Sequence, residues 1–193
     1  DIPSDGNPHQ VNLFHSEYPI ELNHFAIPHK VSFAYLQAKF TNPTDGVTLL
    51  PGTANIFRDQ TFVGKTPLKN ISPGQAVTLN LGIDEVLQIE RELGDRQVDK
   101  TLISQLRRIT YAYTIAITNL TEQPQTIILQ EQIPVSRTEK IKINLQKVDP
   151  KIEPSKLGIL EWKAAIAPNT KITFSYQYIV EHPPSATIQG LLN

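Results

Sequence analysis

Residues 108–119 read RITYAYTIAITN, and the reading of this stretch decides the fold. Ile109, Tyr111, Tyr113, Ile115 and Ile117 fall on one side of an extended chain, with Thr110, Ala112, Thr114, Ala116 and Thr118 on the other. β-branched and aromatic residues at a period of two describe a half-buried strand. KITFSYQYIV (residues 171–180) repeats the pattern with Ile172, Phe174, Tyr176, Tyr178 and Val180. So do KIKINLQ, through Ile141, Ile143 and Leu145, and AVTLNLG, through Val77, Leu79 and Leu81. Fifteen prolines against nine glycines interrupt any helical period between these runs. The expected fold is all-β, an antiparallel β-sandwich architecture of about a dozen strands, as two Ig-like or sandwich units.

The totals bound the object further. A chain of 193 residues can bury a real core, and 39% hydrophobic with 19% charged residues marks a globular protein. A formal net charge of −1 gives no global attraction to nucleic acid or anionic lipid. No apolar run approaches the roughly 20 residues of a membrane helix. Cysteine is absent, which excludes disulfides, thiol catalysis and thiolate metal sites but leaves the compartment open, a periplasmic or envelope setting being one reading. Methionine is absent too, so the chain reads as a processed piece of a longer protein.

One segment admits two readings. Residues 82–109 could hold a short helical insert, with Asp84 as N-cap, Val86, Ile89 and Leu93 on one side and Gly94 as the stop. The favoured reading is a long charged hairpin near 84–107, with arms VLQIEREL and LRRITYAYTI and a tip near 95–104. A faint echo runs through the chain as well. Phe33-Ala34-Tyr35, Ala38 and Thr41-Asn42 resemble Tyr111-Ala112-Tyr113, Ala116 and Thr118-Asn119. Two related units would leave such an echo, as would chance among strands drawn from a small alphabet. The corresponding division is 1–98, with 1–29 as a loosely held N-terminal segment, and 99–193.

FRDQTFVGKTPLKNISPGQ (residues 57–75) contains VGKT, the end of a phosphate-binding loop motif. That motif needs a glycine five positions earlier, where Asp59 stands, and a helix, which Pro73-Gly74 would stop. The better reading is strand, tight turn at Asp59-Gln60, strand, and a second turn at Pro73-Gly74, with Gly64 serving a bulge or close backbone approach.

These residues carry a resemblance. Pro51-Gly52, Phe62-Val63-Gly64, Pro73-Gly74 and Leu81-Gly82-Ile83-Asp84 occur in the order found in the C-terminal domain of mucoidy-inhibitor (MuiA-like) proteins. Asn119 and its turn lead to Ile133-Pro134-Val135-Ser136, similar to that family's Asp-x-Ile-Pro-Val-Ser end. Gln132 stands directly before Ile133, with Glu131 before it where the pattern has its Asp, a departure that argues against an acidic functional site there. GILEWKAAIAPNTKITFSYQYIVEHP, with Trp162, resembles the family's closing pattern, so the likeness covers residues 30–184. It implies a parent with another β-domain and a coiled coil upstream, and a link to exopolysaccharide production without a mechanism. FRDQTFVGKTPL alone is similar to PEGA-type surface modules.

Sharper chemistry finds little support. His9, His15, His24 and His29 crowd the first thirty residues without metal-ligand spacing. Trp162, Tyr111, Tyr113, Tyr176 and Tyr178 could form a sugar platform, yet their alternation places them in a core. Glu90, Arg91 and Glu92 facing Arg107 and Arg108 could be an acid/base pair, but read as a solvated ion-paired ribbon and as a candidate interaction surface. No nucleophile elbow occurs, and the Asn70-Ile71-Ser72 and Asn119-Leu120-Thr121 triplets carry no weight as glycosylation sites. The expectation is a non-catalytic structural or protein-interaction domain without cofactor or metal, its partner another protein or the rest of its own chain. A carbohydrate-binding module and a hydrolase using Asp84 and Glu90 are the alternatives.

Overall fold

The computed structural model describes residues 5, 6, 9, 11–94, 97–100 and 106–186, with the backbone alone for 97–100. The alternating stretch around 108–119 becomes the longest strand, β8 (Arg107–Asn119). Before it run β1 (Glu21–Ala26), β2 (Ala34–Thr41), β3 (Gly52–Arg58), β4 (Thr61–Leu68), β5 (Ala76–Asp84), β6 (Leu87–Leu93) and β7 (Gln97–Lys100). After it come β9 (Gln125–Gln132), β10 (Lys142–Asp149), β11 (Ile159–Ile166) and β12 (Lys171–His182). The all-β expectation is met, with twelve strands and no helix among the described residues.

The strands form three sheets. The first has the order β11-β9-β1-β2-β5, the second β10-β12-β8-β6 with β7 also on β8, and β3-β4 is a separate ribbon. Pairing is antiparallel except where β1 lies parallel to β9, and no sheet closes into a barrel. Strand β1, inside the first thirty residues, therefore sits at the centre of a sheet. Residues 11–20 before it have no regular structure, although the Tyr18 ring packs on Phe40 of β2 at 4.9 Å.

The core follows from strand parity. Tyr111, Tyr113, Ile115 and Ile117 of β8 and Phe174, Tyr176, Tyr178 and Val180 of β12 meet Ile127 and Leu129 of β9 and Leu160 and Trp162 of β11. Each such side chain contributes about 1.5–3 kcal/mol on burial. Trp162 satisfies its indole N–H on the Pro150 carbonyl at 2.8 Å, so the ring can be buried without an orphaned donor. Outside this cluster, Leu36 and Ala38 of β2, Ile56 of β3 and Ile71 are buried as well, and the β3–β4 ribbon lies against β5.

The hairpin reading of 84–107 holds and the helical one does not. β6 pairs with β8 from Leu87 opposite Asn119 to Leu93 opposite Tyr113, and β7 continues along β8 from Gln97 opposite Thr110. Leu87 and Ile89 are buried at alternate positions, as a strand requires and a helix would not. Of the expected tip, residues 95, 96 and 101–104 lie outside the described residues.

The two echoing turns are built alike. Asn42 ends past β2 and Asn119 ends β8, and both are fully buried. The Asn42 side-chain amide donates to the carbonyls of Val47 and Ile71, and that of Asn119 to those of Gln123, Ile166 and Ala167. Their backbone N–H groups donate to Gln75 and Thr170, the residues leading into β5 and β12. Ile71 precedes Pro73-Gly74 as Ile166 precedes Pro168-Asn169, with Gly74 at φ 79 and Asn169 at φ 52 in the left-handed region.

Candidate functional site

Strand β9 turns Ile127, Leu129 and Glu131 to the same side, so parity alone drives a carboxylate into the core. Glu131 is fully buried. From the facing sheet, Arg91 follows Leu87 and Ile89 inward along β6, and Tyr176 follows Phe174 along β12. Arg91 Nε donates to Glu131 Oε1 at 3.1 Å, and the Tyr176 hydroxyl donates to Oε2 at 2.7 Å. Arg91 also donates to the Tyr176 oxygen at 3.2 Å, and its guanidinium lies 4.0 Å from the centroid of Tyr113. His29, in the turn after β1, brings Nδ1 to 3.7 Å from Glu131 Oε2, beyond hydrogen-bond distance.

Electrostatics in this cluster follow from burial and from Glu131. Burial pushes the Tyr176 hydroxyl far above its ordinary range, and the neighbouring Glu131 carboxylate pushes it further, so it stays a donor. Tyr178 is raised by burial and then by Tyr113. Burial works against the Arg91 charge, but the attraction and hydrogen bonds of Glu131 and Tyr176 together outweigh it and the guanidinium is held above its usual value. His29 is lowered because burial disfavours its charged form more than Glu131 favours it, with Arg91 and Lys30 adding repulsion. The cluster thus ties β9 of one sheet to β6 and β12 of the other. Its charges are committed to one another, which suits a structural tie between layers.

A second polar group holds the ribbon. Asp84, at the end of β5, is buried between His24 of β1, with Nε2 at 3.4 Å, and Arg58 of β3, with a guanidinium nitrogen at 3.2 Å. These contacts fasten the ribbon's turn to the edge of the first sheet. An open hollow of about 540 Å³ lies beside them, lined by Arg58, Ile83, Asp84, Glu85, Val86, Leu120 and Thr121. Asp84 and Glu90 have separate partners, since Glu90 meets Lys171 at 3.1 Å and Gln88 at 3.2 Å.

The expected facing of Glu90, Arg91 and Glu92 with Arg107 and Arg108 is not what forms. β6 ends opposite Tyr113, so Glu90, Arg91 and Glu92 pair with Ala116, Ile115 and Thr114. Arg107 and Arg108 lie opposite β7 and β12 instead, and Arg108 binds Glu181 at 2.9 Å. Arg91 is the exception in character as well as place, pointing inward rather than forming part of a solvated ribbon. Trp162 is a core anchor, and Tyr111, Tyr113, Tyr176 and Tyr178 are buried stacked rings.

The structural motif residues have physical roles. Asp59 and Gln60 form the two-residue turn, both with positive φ, and Val63 is the extra residue of a bulge beside Gly64. Gly82, at φ 94, belongs to a second bulge, where Leu81 and Gly82 oppose Leu36. Pro73-Gly74 forms a turn in which the Gly74 N–H bonds the Asn42 carbonyl at 2.7 Å. Pro51 stands just before Gly52 opens β3, and Pro134 follows the end of β9. Sequence reasoning missed Glu131 as a buried anchor, His29 beside it, and Gly158. A Cβ at Gly158 would collide with the Ile133 carbonyl, and its φ of 74 already disfavours any side chain. The signal for Glu131 was present: it shares the parity of Ile127 and Leu129. Among the described residues no three metal-ligating side chains come together.

Comparison with known proteins gives kinship without chemistry. Protein F37C4.5 of Caenorhabditis elegans is 28% identical over 196 residues, covering 94% of this chain. The chain spans only 35% of that relative's length. No solved structure matches. The model of the family described as a domain of unknown function, DUF4139, matches residues 1–184, and the chain belongs to that family.

Proposed function

We propose that this domain is a non-catalytic structural and protein-interaction module of a larger protein. The observation that carries the reading is the contrast between interior and surface. The buried ionic groups are committed to one another, whereas the end of the β3–β4 ribbon presents two aromatic rings to solvent. Phe57 is 61% and Phe62 50% exposed, with ring centroids 5.5 Å apart in an edge-to-face pair. Paired exposed aromatics on a rigid ribbon are the kind of anchor that dominates protein interfaces.

The alternatives draw less support. A sugar platform needs exposed rings, and the tyrosines considered for it lie between the sheets. A carboxylate hydrolase needs convergent acids, and Asp84 and Glu90 are engaged apart. The link to exopolysaccharide and the cell envelope implied by the mucoidy-inhibitor likeness belongs to this proposal too. A nematode relative argues that the module's work is not confined to a bacterial envelope.

The test is capture of partners by the full-length parent protein, wild type against the double variant Phe57→Ser/Phe62→Ser. At least one partner held by the wild type should be lost by the variant, with the unfolding midpoint unchanged. Identical partner sets would overturn the reading.

A further inference from the structure

Apart from β7 and β10, which have no counterpart among the described residues, the strands before and after the middle of the chain correspond. β1 lies beside β2 on the side away from β5, as β6 lies beside β8 on the side away from β12. β2 pairs with β5 and β8 with β12, and in each case the chain leaves through a buried Asn turn, Asn42 or Asn119. It then forms a second antiparallel pair outside that sheet, β3 with β4 in one half and β9 with β11 in the other. β3 is therefore the counterpart of β9.

The counterparts differ in one respect. β9 has neighbours on both edges, β11 on one side and β1, in parallel, on the other. β3 has β4 on one edge, and no strand among the described residues on its other. We propose that this outer edge of β3 takes up an extended segment of a protein partner, running parallel to β3 as β1 runs beside β9. The proposal rests on the reading of the domain as an interaction module and names the contact.

The distribution of edge-blocking devices supports it. Open strand edges are ordinarily protected by charge, proline or a bulge. β10 carries exposed Lys142 and Lys147 and a bulge, β4 carries Pro67, β5 carries the Gly82 bulge, and β6 carries Glu90 and Glu92. The border of β11 is lined by the preceding loop, where the Ser155 N–H bonds the Ile159 carbonyl at 2.9 Å. β3 reads GTANIFR, with neither charge nor proline before Arg58. Pro51 lies just upstream and confines the joint to the 7 residues of the strand.

Side chains define the segment that fits. Ala54 and Ile56 face the interior, whereas Asn55 and Phe57 face out. An incoming strand should be apolar at alternate positions to extend the Ala54–Ile56 layer, with an aromatic or aliphatic residue beside Phe57 on its other face.

The probe is a synthetic peptide of residues 19–28, PIELNHFAIP, because β1 makes the corresponding joint on β9. Added to the isotope-labelled domain, it should shift the backbone amides of residues 53–58. The shifts should vanish when alternate peptide amides are N-methylated, and also in the Asn55→Glu variant, whose substitution lies on an exposed position opposite Lys65 and should leave the remaining spectrum unchanged. Shifts at residues 127–129 instead would mean exchange with the domain's own β1 and would overturn the proposal. Silence at millimolar peptide would overturn it equally. Either negative leaves the partner capture through Phe57 and Phe62 to stand or fall on its own.

Discussion

Glu131 is a full carboxylate in an all-β core, and its cost is offset only by the groups around it. Arg91 and Tyr176 each supply one hydrogen bond, from the opposite sheet. Removing one partner of such a buried pair strands the other, so Glu131→Gln should destabilise the domain by about 3–5 kcal/mol. Replacing the set together, as Arg91→Met/Glu131→Leu/Tyr176→Phe, should recover most of that loss, and urea midpoints of the two variants make the comparison. His29 gives the same cluster a pH dependence. Its folded value lies below the ordinary imidazole value of about 6.5 because burial opposes its charge. The native protein therefore binds fewer protons than the unfolded chain as the solution turns acid. Stability present above the unfolded value drains away as pH falls through the depressed native one. The groups facing the ring are Glu131 from β9, Arg91 from β6 and the adjacent Lys30. Urea midpoints taken at about pH 7.5 and about pH 5 should fall for the wild type, and the fall should shrink in His29→Gln.

At the scale of elements, the legible features were those that local chemistry dictates. Alternation found β8, β12, β10 and β5, and the Asp59-Gln60 and Pro73-Gly74 turns followed from turn chemistry. The register of β6 was not legible, because which residues oppose one another depends on where the turn ends. An error of that kind moves Arg108 from the Glu90–Glu92 stretch to Glu181. Glu131 was hidden for a related reason: an acidic residue on a buried parity is recognisable only once its cationic partner is placed, and Arg91 lies 40 positions away. The asparagine turns carry the strongest element-level expectation. Each buried amide satisfies carbonyls from two separate segments, so truncation leaves those carbonyls unpaired. Asn119→Ala should cost about 2–4 kcal/mol, with Asn42→Ala costing less because two carbonyls rather than three lose their donor. Chemical denaturation of both variants ranks them. Hydrogen exchange should show the Asn42 loss concentrated in the β3–β4 ribbon, where few apolar side chains are buried.

At the scale of the molecule, the unusual feature is the one parallel joint among the described residues, β1 beside β9. This pairing joins β1-β2-β5 and β9-β11 into one five-stranded sheet. An open sheet has free edges, and a chain with two large open sheets must keep those edges from finding one another. β10 bears the clearest protection. Lys142 and Lys147 are exposed on it, and the register breaks between Leu145 and Lys147. Ile143, Leu145 and Val148 are apolar and half-buried, and of the strand's exposed residues only Lys142, Lys147 and the terminal Asp149 carry charge, so without the lysines most of the strand would be an uncharged template. The substitutions Lys142→Val and Lys147→Val remove two charges from exposed positions and should leave the unfolding midpoint within about 0.5 kcal/mol of the wild type. They should nevertheless make the sedimenting mass rise more steeply with concentration than that of the wild type. If sedimentation stays unchanged at high concentration, the lysines are not what guards this edge, and the bulge alone suffices to twist it out of reach.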